Sequence, residues 1–305
     1  MSDGLAPAAL QVFLDGMIDY AGLFPPASLN MRSYVENYRR YLAGEDRRAL
    51  GRLCLPVSRL DEFLNAQEND VADAPWRLTG ILSADIASEL DAVREFNGKA
   101  PGAVMDTVEI KVEGSEEVAA VAAQLPRGVS AFYEMTPERA SVLLPEVRKM
   151  RGRAKIRTGG VVSGAFPTIV EIAAFLCSCA EAGVAFKATA GLHHPVRGEH
   201  SLTYEPHAAK AVMHGFLNVY TAAAMAWSAR QAGTELRLPW LIRCLADGDP
   251  ANWHFNDRAL MWSGGDEPMR IELDCLRAIR TDFAISFGSC SFVEPIGELR
   301  ELNLL

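Results

Sequence analysis

Two short segments of the chain each place a lysine inside a strand-like run. They are Ala154–Gly160 (AKIRTGG) and Phe186–Gly191 (FKATAG), and their lysines, Lys155 and Lys187, stand 32 positions apart. An ammonium group is costly inside a strand unless the strand ends at a polar site or the charge is used. Burial and a neighbouring cation lower the pKa of an amine, which can then attack a carbonyl carbon. The pair predicts an active site with Lys155 as a Schiff-base nucleophile.

Two glutamates on neighbouring predicted strands are the expected catalytic partners of these lysines. Glu109 lies in the fourth predicted strand and Glu134 at the end of the fifth. A carboxylate near a Schiff base can move the protons that its formation and hydrolysis require. An ion pair between Glu109 and Lys155 would have the opposite consequence for the nucleophile, because it would raise the pKa of the lysine.

Further polar residues lie at the ends of the same strands and in the loops that follow them. Those predicted to bind substrate are Lys111, Arg157, Thr158, Gly159, Thr189, Gly191, His193, His194 and Asn218. Basic groups concentrated at one site of an acidic protein favour a small anionic substrate. We therefore expect a phosphorylated or carboxylated carbonyl compound.

Histidines are dense after the seventh predicted strand, where His193, His194, His200 and His207 fall within fifteen positions. Such a group could hold a divalent metal together with a strand carboxylate. Adjacent histidines point apart, however, and none of the metal-binding spacings H-x-H or H-E-x-x-H occurs. The sequence therefore predicts no metal and no other cofactor, with a metal-assisted site kept as the alternative.

The elements that must position these residues alternate between strand and helix. The eight strand-like runs are Ile18–Phe24, Leu53–Val57, Leu78–Leu82, Thr107–Val112, Ser130–Met135, Ala154–Thr158, Val184–Thr189 and Phe216–Thr221. This alternation predicts a (β/α)8 barrel of the TIM type over residues 1–232. No glycine-rich phosphate loop follows the first run, which disfavours an open doubly wound sheet. Residues 233–305 are predicted to be a C-terminal extension packed on the barrel.

The two lysine segments resemble those of class I aldolases of the deoxyribose-phosphate aldolase type. Lys155–Gly159 is similar to the K-x-S-T-G signature of strand six in that family, and Phe186–Gly191 to the K-x-[SA]-G-G segment of strand seven. The resemblance implies that Lys155 forms the Schiff base and that Lys187 lowers its pKa. Phe287–Ser291 is similar to the phosphate loop that follows strand eight in that family.

The overall composition excludes some classes of function. The net charge of −9 argues against a nucleic-acid binder, because no basic stripe offsets it. No signal peptide is recognised and no apolar run approaches the roughly 20 residues of a membrane span. The six cysteines show no paired metal spacing. We expect a cytoplasmic protein with reduced thiols and no membrane contact, in which the apolar run Ala222–Trp227 packs on the extension or on another copy in a homo-oligomer.

Three functions follow from these residues. The first is a class I, aldolase-like lyase that uses Lys155, with Lys187 tuning its pKa. The second is a metal-assisted hydrolase or lyase that uses His193 or His194 with strand carboxylates. The third is a non-catalytic barrel that binds an anionic metabolite, in which Arg157 and Lys187 are clamps.

Overall fold

The chain folds into a closed barrel of eight parallel strands, which confirms the predicted (β/α)8 architecture. The computed structural model describes residues 6–67, 75–99 and 102–305. The barrel strands are β1 (Ile18–Tyr20), β2 (Leu50–Pro56), β3 (Trp76–Ile81), β4 (Ala103–Lys111), β5 (Ser130–Glu134), β6 (Arg153–Arg157), β7 (Phe186–Thr189) and β13 (Ala284–Ser289). They run around the barrel in the order β1-β13-β7-β6-β5-β4-β3-β2.

Helices follow the strands and form the outer layer. Those of the described residues are α1 (Ala8–Leu14), α2 (Met31–Leu42), α3 (Leu60–Gln67), α4 (Ile86–Lys99), α5 (Ser115–Gln124), α6 (Pro137–Lys149), α7 (Ile169–Ala182), α8 (Phe216–Ala232), α9 (Leu238–Ala246), α10 (Leu273–Asp282) and α11 (Val293–Glu301). Their apolar faces meet the outer side chains of the strands, so most of the core lies between the two layers.

The eighth strand of the barrel is not the predicted one. Phe216–Thr221 forms the first turns of α8, and the strand that closes the barrel is β13, which pairs with β1 on one side and β7 on the other. The last strand of the barrel therefore lies beyond residue 232, within the stretch that was predicted to be the C-terminal extension. An uninterrupted run of eleven buried residues, Phe216–Ala226, hides the helical period of α8.

The C-terminal part of the chain does add elements to the barrel before β13. β10 (Trp253–Phe255), β11 (Ala259–Trp262) and β12 (Met269–Glu272) form an antiparallel sheet. α9 packs against α7 and α8 on the outside of the barrel. A second insertion, the hairpin of β8 (Gly198–Ser201) and β9 (Lys210–Met213), separates β7 from α8.

The ends of α7 follow directly from the sequence. Thr168 caps its first turn in a capping box with Glu171, and Gly183 ends it with φ +62°, a conformation that glycine adopts at little cost. The stretch Ser163–Ala182 is, by length and composition alone, apolar enough to cross a membrane. The expectation that no apolar run approaches that length is therefore wrong. In the structure Phe175 and Leu176 of this stretch are buried in the core.

Candidate active site

Neighbouring strands bring the two lysines and their glutamates together inside the barrel. The register places Lys155 of β6 beside Lys187 of β7 on one side and beside Glu134 of β5 on the other. Glu109 of β4 and Asp19 of β1 reach the same place from across the barrel. Four of these five side chains are almost completely buried, and Glu134 is the most exposed of them.

The five side chains form a continuous series of ion pairs. Lys155 Nζ lies 2.5 Å from Glu109 Oε2 and 2.7 Å from Glu134 Oε2. Lys187 Nζ lies 2.5 Å from Glu109 Oε1 and 2.5 Å from Asp19 Oδ2. We call the sequence Glu134–Lys155–Glu109–Lys187–Asp19 the charged row. Glu109 joins its two halves, because each of its oxygens binds one lysine.

The far end of the charged row is fixed by the barrel itself. Ser286 Oγ donates a hydrogen bond of 2.8 Å to Asp19 Oδ2, and the backbone N–H of Arg52 donates one of 2.7 Å to Asp19 Oδ1. Lys187 Nζ also lies 5.4 Å from the centre of the Phe132 ring, within the range of a cation–π contact. Both carboxylate oxygens of Asp19 therefore have hydrogen-bonding partners within the barrel.

The carboxylates outweigh burial in setting the charge of the lysines. Burial alone would lower the pKa of Lys155, but Glu109 and Glu134 raise it above its usual value. Burial opposes the charge on Lys187 as well, and Asp19 and Glu109 raise its pKa far above the usual value. Burial would raise the pKa of Glu109, yet the two lysines lower it to about 2. The pKa of Lys155 is thus raised in this arrangement, whereas the resemblance implies a lowered one.

A cavity of about 500 Å³ opens above one half of the charged row only. Lys155, Glu109 and Glu134 line it, whereas Lys187 and Asp19 lie beneath and do not. The cavity lies at the carboxyl ends of the strands, the end at which barrel enzymes bind their substrates. Of the two lysines, Lys155 is the one that a molecule in the cavity can touch.

A second polar group lies on another wall of the cavity, around His193. Nδ1 of His193 lies 3.2 Å from Ser289 Oγ, 3.9 Å from Cys290 Sγ and 3.4 Å from Glu294 Oε2. Tyr204, beyond the hairpin strand β8, donates a 3.0 Å hydrogen bond to the same glutamate oxygen. Burial opposes a charge on His193, but Cys290 and Glu294 raise the pKa of the imidazole to about 10.

His194 faces different partners from its neighbour. Its Nδ1 lies 2.7 Å from Glu298 Oε1, and its ring stacks on that of His200 with 3.4 Å between centres. Ligand atoms of His194, Glu294 and Glu298 all lie within 4.8 Å of one another, close enough to hold one metal ion. The carboxylates beside the histidines therefore come from α11, and not from the strands as the metal-assisted alternative supposes.

A second group with ligand spacing lies inside the barrel and is already filled. Asp19, Cys54 and Glu109 also bring their ligand atoms within 4.8 Å of one another. Lys187 Nζ, however, lies 2.5 Å from both carboxylates, so an ammonium already occupies the cation position between them. Burial also raises the pKa of the Cys54 thiol well above its usual value, which disfavours the thiolate that a metal needs.

Most of the predicted site residues do surround the cavity. Those that line it are Glu109, Lys111, Glu134, Lys155, Arg157, Thr189, Gly191, His193 and His194. Lys111 and Arg157 lie at its rim with exposed side chains, and each has a glutamate nearby: Lys111 Nζ lies 2.9 Å from Glu113, and Arg157 Nε 3.7 Å from Glu134.

Three predicted substrate-binding residues are not among the described residues that line the cavity, and each has a structural role instead. Thr158 Oγ1 donates hydrogen bonds to the backbone carbonyls of the last residue of β7 and the residue after it, and a Cβ on Gly159 would come within 3.0 Å of the backbone of Gly191. Asn218 lies in α8, where its amide donates to the carbonyls of Cys244 and Asp247. Its predicted position on a strand was wrong.

Sequence reasoning missed several residues of the site. Cys290, Glu294 and Tyr204 were not predicted as site residues, because all three lie outside the eight predicted strands. Cys290 follows β13, Glu294 lies in α11, and Tyr204 lies between the strands of the β8–β9 hairpin. The similarity of Phe287–Ser291 to a family segment after strand eight pointed to this wall, and so did the proline-containing segment Phe292–Pro295, which could be expected to border the pocket. The first of these segments spans the end of β13, the eighth strand of the barrel.

Comparison of the chain with family models, with curated proteins and with solved structures found no match.

Proposed function

We propose that this protein is a Schiff-base lyase of the class I aldolase kind, acting on a small anionic carbonyl compound. The observation that carries the proposal is the charged row with one end open to the cavity. Lys155 is buried, touches two carboxylates and reaches the cavity, which is the arrangement that a nucleophilic amine with its own proton acceptor requires.

The two lysines have different roles in this proposal. Lys155 is the nucleophile, because its amine is the one that lines the cavity. Lys187 touches no part of the cavity and is a positioning residue: it holds Glu109 in place and compensates its charge. An uncompensated carboxylate at that depth would be very costly, so Lys187 keeps Glu109 ionised beside the nucleophile.

Glu134 is the proton acceptor in the proposed reaction. With a pKa of about 2, Glu109 is a poor base. Glu134 contacts the nucleophile and also reaches the cavity. Lys155 gives one proton to Glu134, and its free amine attacks the carbonyl carbon. The C–N bond forms, and the carbonyl oxygen takes up two protons, one returned by Glu134 and one from the attacking nitrogen. The C–O bond then breaks as the C=N bond forms, and the oxygen leaves as water.

The resemblance to class I aldolases supports the same assignment. The three segments that carry the resemblance are far apart in the sequence, but they lie at the ends of β6, β7 and β13, which are adjacent strands. The segments with Lys155 and Lys187 therefore occupy neighbouring positions, as the strand-six and strand-seven lysines do in that family. The high pKa of Lys155 is the point at which this chain departs from the implied mechanism.

Reductive trapping tests the proposal. The protein is incubated with small aldehydes and 2-oxo acids and then reduced with borohydride, which converts a Schiff base into a stable secondary amine. Intact-mass measurement should show one adduct per chain. Lys155→Arg should show none, because a guanidinium does not form the imine. The matched control Lys210→Arg, at an exposed lysine outside the cavity, should keep the adduct.

A metal-assisted activity is the second candidate, and the convergence of His194, Glu294 and Glu298 favours it. In such an enzyme the ion would polarise the substrate or activate water at the rim of the cavity. Elemental analysis of an active preparation separates the two candidates. If the Schiff-base proposal is right, the activity should persist after a chelator has reduced the metal content to trace levels.

The non-catalytic alternative is separated from the proposal by proton exchange. An enamine formed at Lys155 exchanges the protons next to the carbonyl of a 2-oxo acid, whereas simple binding does not. We expect exchange into pyruvate in D2O above the rate in buffer, measured by proton NMR. Binding without exchange would favour a barrel that only holds a metabolite.

A further inference from the structure

The lysines and the arginine that line the cavity in the described part of the chain all lie beside carboxylates. Lys155 contacts two glutamates, and Lys111 is paired with Glu113 on the outside. Arg157 lies 3.7 Å from Glu134 and has 57% of its side chain exposed at the rim. The charged row as a whole carries two ammonium groups against three carboxylates. A dianionic phosphate would therefore enter a site whose positive charge is already compensated.

The loop after β13 is also poorly suited to a phosphate. A phosphate loop offers free backbone N–H groups. Here the N–H of Ser291 donates to Ser289 Oγ at 3.2 Å, and the N–H of Glu294 donates to Ser291 Oγ at 3.1 Å. The carboxylate of Glu294, in the first turn of α11, repels anions from the same place.

Much of the remaining cavity wall is apolar. Phe24 and the two prolines that follow it close one side, after β1. Leu82 and Ile110, from the ends of β3 and β4, line another part, and Leu202 of the hairpin completes the wall. The cavity of about 500 Å³ has room for a drug-sized ligand. These apolar walls contribute to the free energy of binding only if the substrate has an apolar part that covers them.

We propose that the substrate is a 2-oxo acid with an apolar body, whose carboxylate is its only anionic group. This rests on the proposed function, since the oxo group is the one that reacts with Lys155. The single carboxylate meets Arg157 at the rim, whose exposed guanidinium lies 3.7 Å from Glu134, farther than Lys111 and Lys155 lie from their glutamates. The apolar body then lies against Phe24 and Leu82.

The test compares three carbonyl compounds under borohydride reduction: 2-oxo-4-phenylbutanoate, pyruvate and glyceraldehyde 3-phosphate. The first two share the oxo acid group and differ in the apolar body. We expect 2-oxo-4-phenylbutanoate to reach half-maximal labelling of Lys155 at a concentration at least tenfold lower than either of the others. Equal or better labelling by glyceraldehyde 3-phosphate or pyruvate would overturn the inference and leave the proposed function standing.

A variant of the apolar wall gives a second comparison. Phe24→Ala should raise the half-maximal concentration of 2-oxo-4-phenylbutanoate several-fold and leave that of pyruvate unchanged. Val162→Ala, at an exposed residue outside the cavity lining, is the matched control and should change neither. A variant that shifts both compounds equally contradicts the assignment of this wall to the apolar body.

Binding to a variant that cannot react separates the two proposals. Lys155→Met forms no Schiff base, so calorimetry with this variant measures binding without the covalent step, and the difference between two oxo acids reports recognition of the apolar body. Preferential binding of 2-oxo-4-phenylbutanoate over pyruvate supports the inference. It does so even if borohydride never labels the wild type, although that absence of labelling would refute the proposed function. The absence of such a preference overturns the inference.

Discussion

Two ammonium groups are buried side by side in the barrel because three carboxylates surround them. Lys187 is completely enclosed and bound to Asp19 and Glu109 at 2.5 Å each. Lys155 has the same kind of surroundings, except that Glu134 on its other side reaches the cavity. At the scale of single residues, the two lysines therefore differ in access: a ligand in the cavity can reach Lys155 but not Lys187.

Removing the enclosed lysine should destabilise the protein strongly. Lys187→Met leaves Asp19 and Glu109 buried without their shared cation, and breaking a buried ion pair in this way costs about 3–5 kcal/mol. We expect a loss of this size in the free energy of unfolding, measured with urea at pH 7. Lys210→Met, at an exposed lysine, is the control and should change it by less than about 0.5 kcal/mol. An equal effect of both substitutions would contradict the structural role of Lys187.

Replacing the proposed proton acceptor should slow Schiff-base formation. In Glu134→Gln the amide cannot take the proton of Lys155, and loss of a general base typically lowers a rate about 10²–10⁴-fold. The measurement is the rate of adduct formation under rapid reduction at saturating ligand. Glu113→Gln, at an exposed glutamate that contacts Lys111 at the rim, should leave the rate unchanged. An unchanged rate in Glu134→Gln would show that Glu134 is not the base.

At the scale of elements, the last strand decides whether the barrel closes. β13 fills the gap between β1 and β7 and contributes Ser286, which binds Asp19 in the charged row. The residues at its end and in α11 form the wall around His193. One element from the end of the chain thus supports both the barrel and its cavity.

A fragment of residues 1–232 tests this dependence. Without β13 the strands β1 and β7 keep open edges, and the charged row loses Ser286. We expect the fragment to lack a cooperative unfolding transition by circular dichroism and to be cleaved rapidly by protease, in contrast to the full chain. Cooperative unfolding of the fragment would show that residues 1–232 form a barrel by themselves.

The sequence predicted the repeating elements well and the closing element badly. Seven of the eight predicted runs overlap barrel strands, because half-buried strands and amphipathic helices carry clear periods. Phe216–Thr221 was misread, because the first eleven residues of α8 are all buried and its start is rich in β-branched and aromatic residues. The true eighth strand is separated from β7 by a long insertion, which a count of regular alternations does not anticipate.

The site was predicted in its residue types and only partly in its contacts. Lysines in matching strand contexts identified Lys155 and Lys187 as neighbours, and the register confirms that they are. The pair of Glu109 with Lys155 was considered from the sequence, whereas the pairs of Lys187 with Glu109 and Asp19 depend on distances across the barrel, which no local pattern encodes. The wall with Cys290 was missed for the same reason, since its parts come from separate elements.

At the scale of the whole molecule, the buried charges couple stability to pH. Glu109 has a pKa of about 2 in the folded chain, below the value of about 4.3 usual for an unfolded glutamate. Its contribution is therefore present above the unfolded value and is lost as the pH falls from about 5 towards 2. The raised pKa values of Lys155 and Lys187 make stability depend on pH in the opposite direction. Their contribution is present below about 10.4 and is lost as the pH rises above it.

We therefore expect stability to fall below about pH 5. On the alkaline side the loss begins above about pH 6.5 with His193, whose folded pKa is raised to about 10, and continues above about 10.4 with the two lysines. Carbon NMR of glutamate-labelled protein identifies the acid-side group. The Glu109 signal, assigned through Glu109→Gln, should titrate with a midpoint near 2 or remain ionised until the protein unfolds. A midpoint near the ordinary value of about 4.3 would contradict the ion pairs described for this residue.

The most direct test of the central claim is to locate the trapped adduct in the chain. Wild-type protein is reduced with borohydride in the presence of a 2-oxo acid, digested, and mapped by mass spectrometry. The account predicts a single modified lysine, Lys155, with Lys187 and the exposed lysines unmodified. An adduct on Lys187, or modification only of exposed lysines such as Lys149 and Lys210, would contradict it.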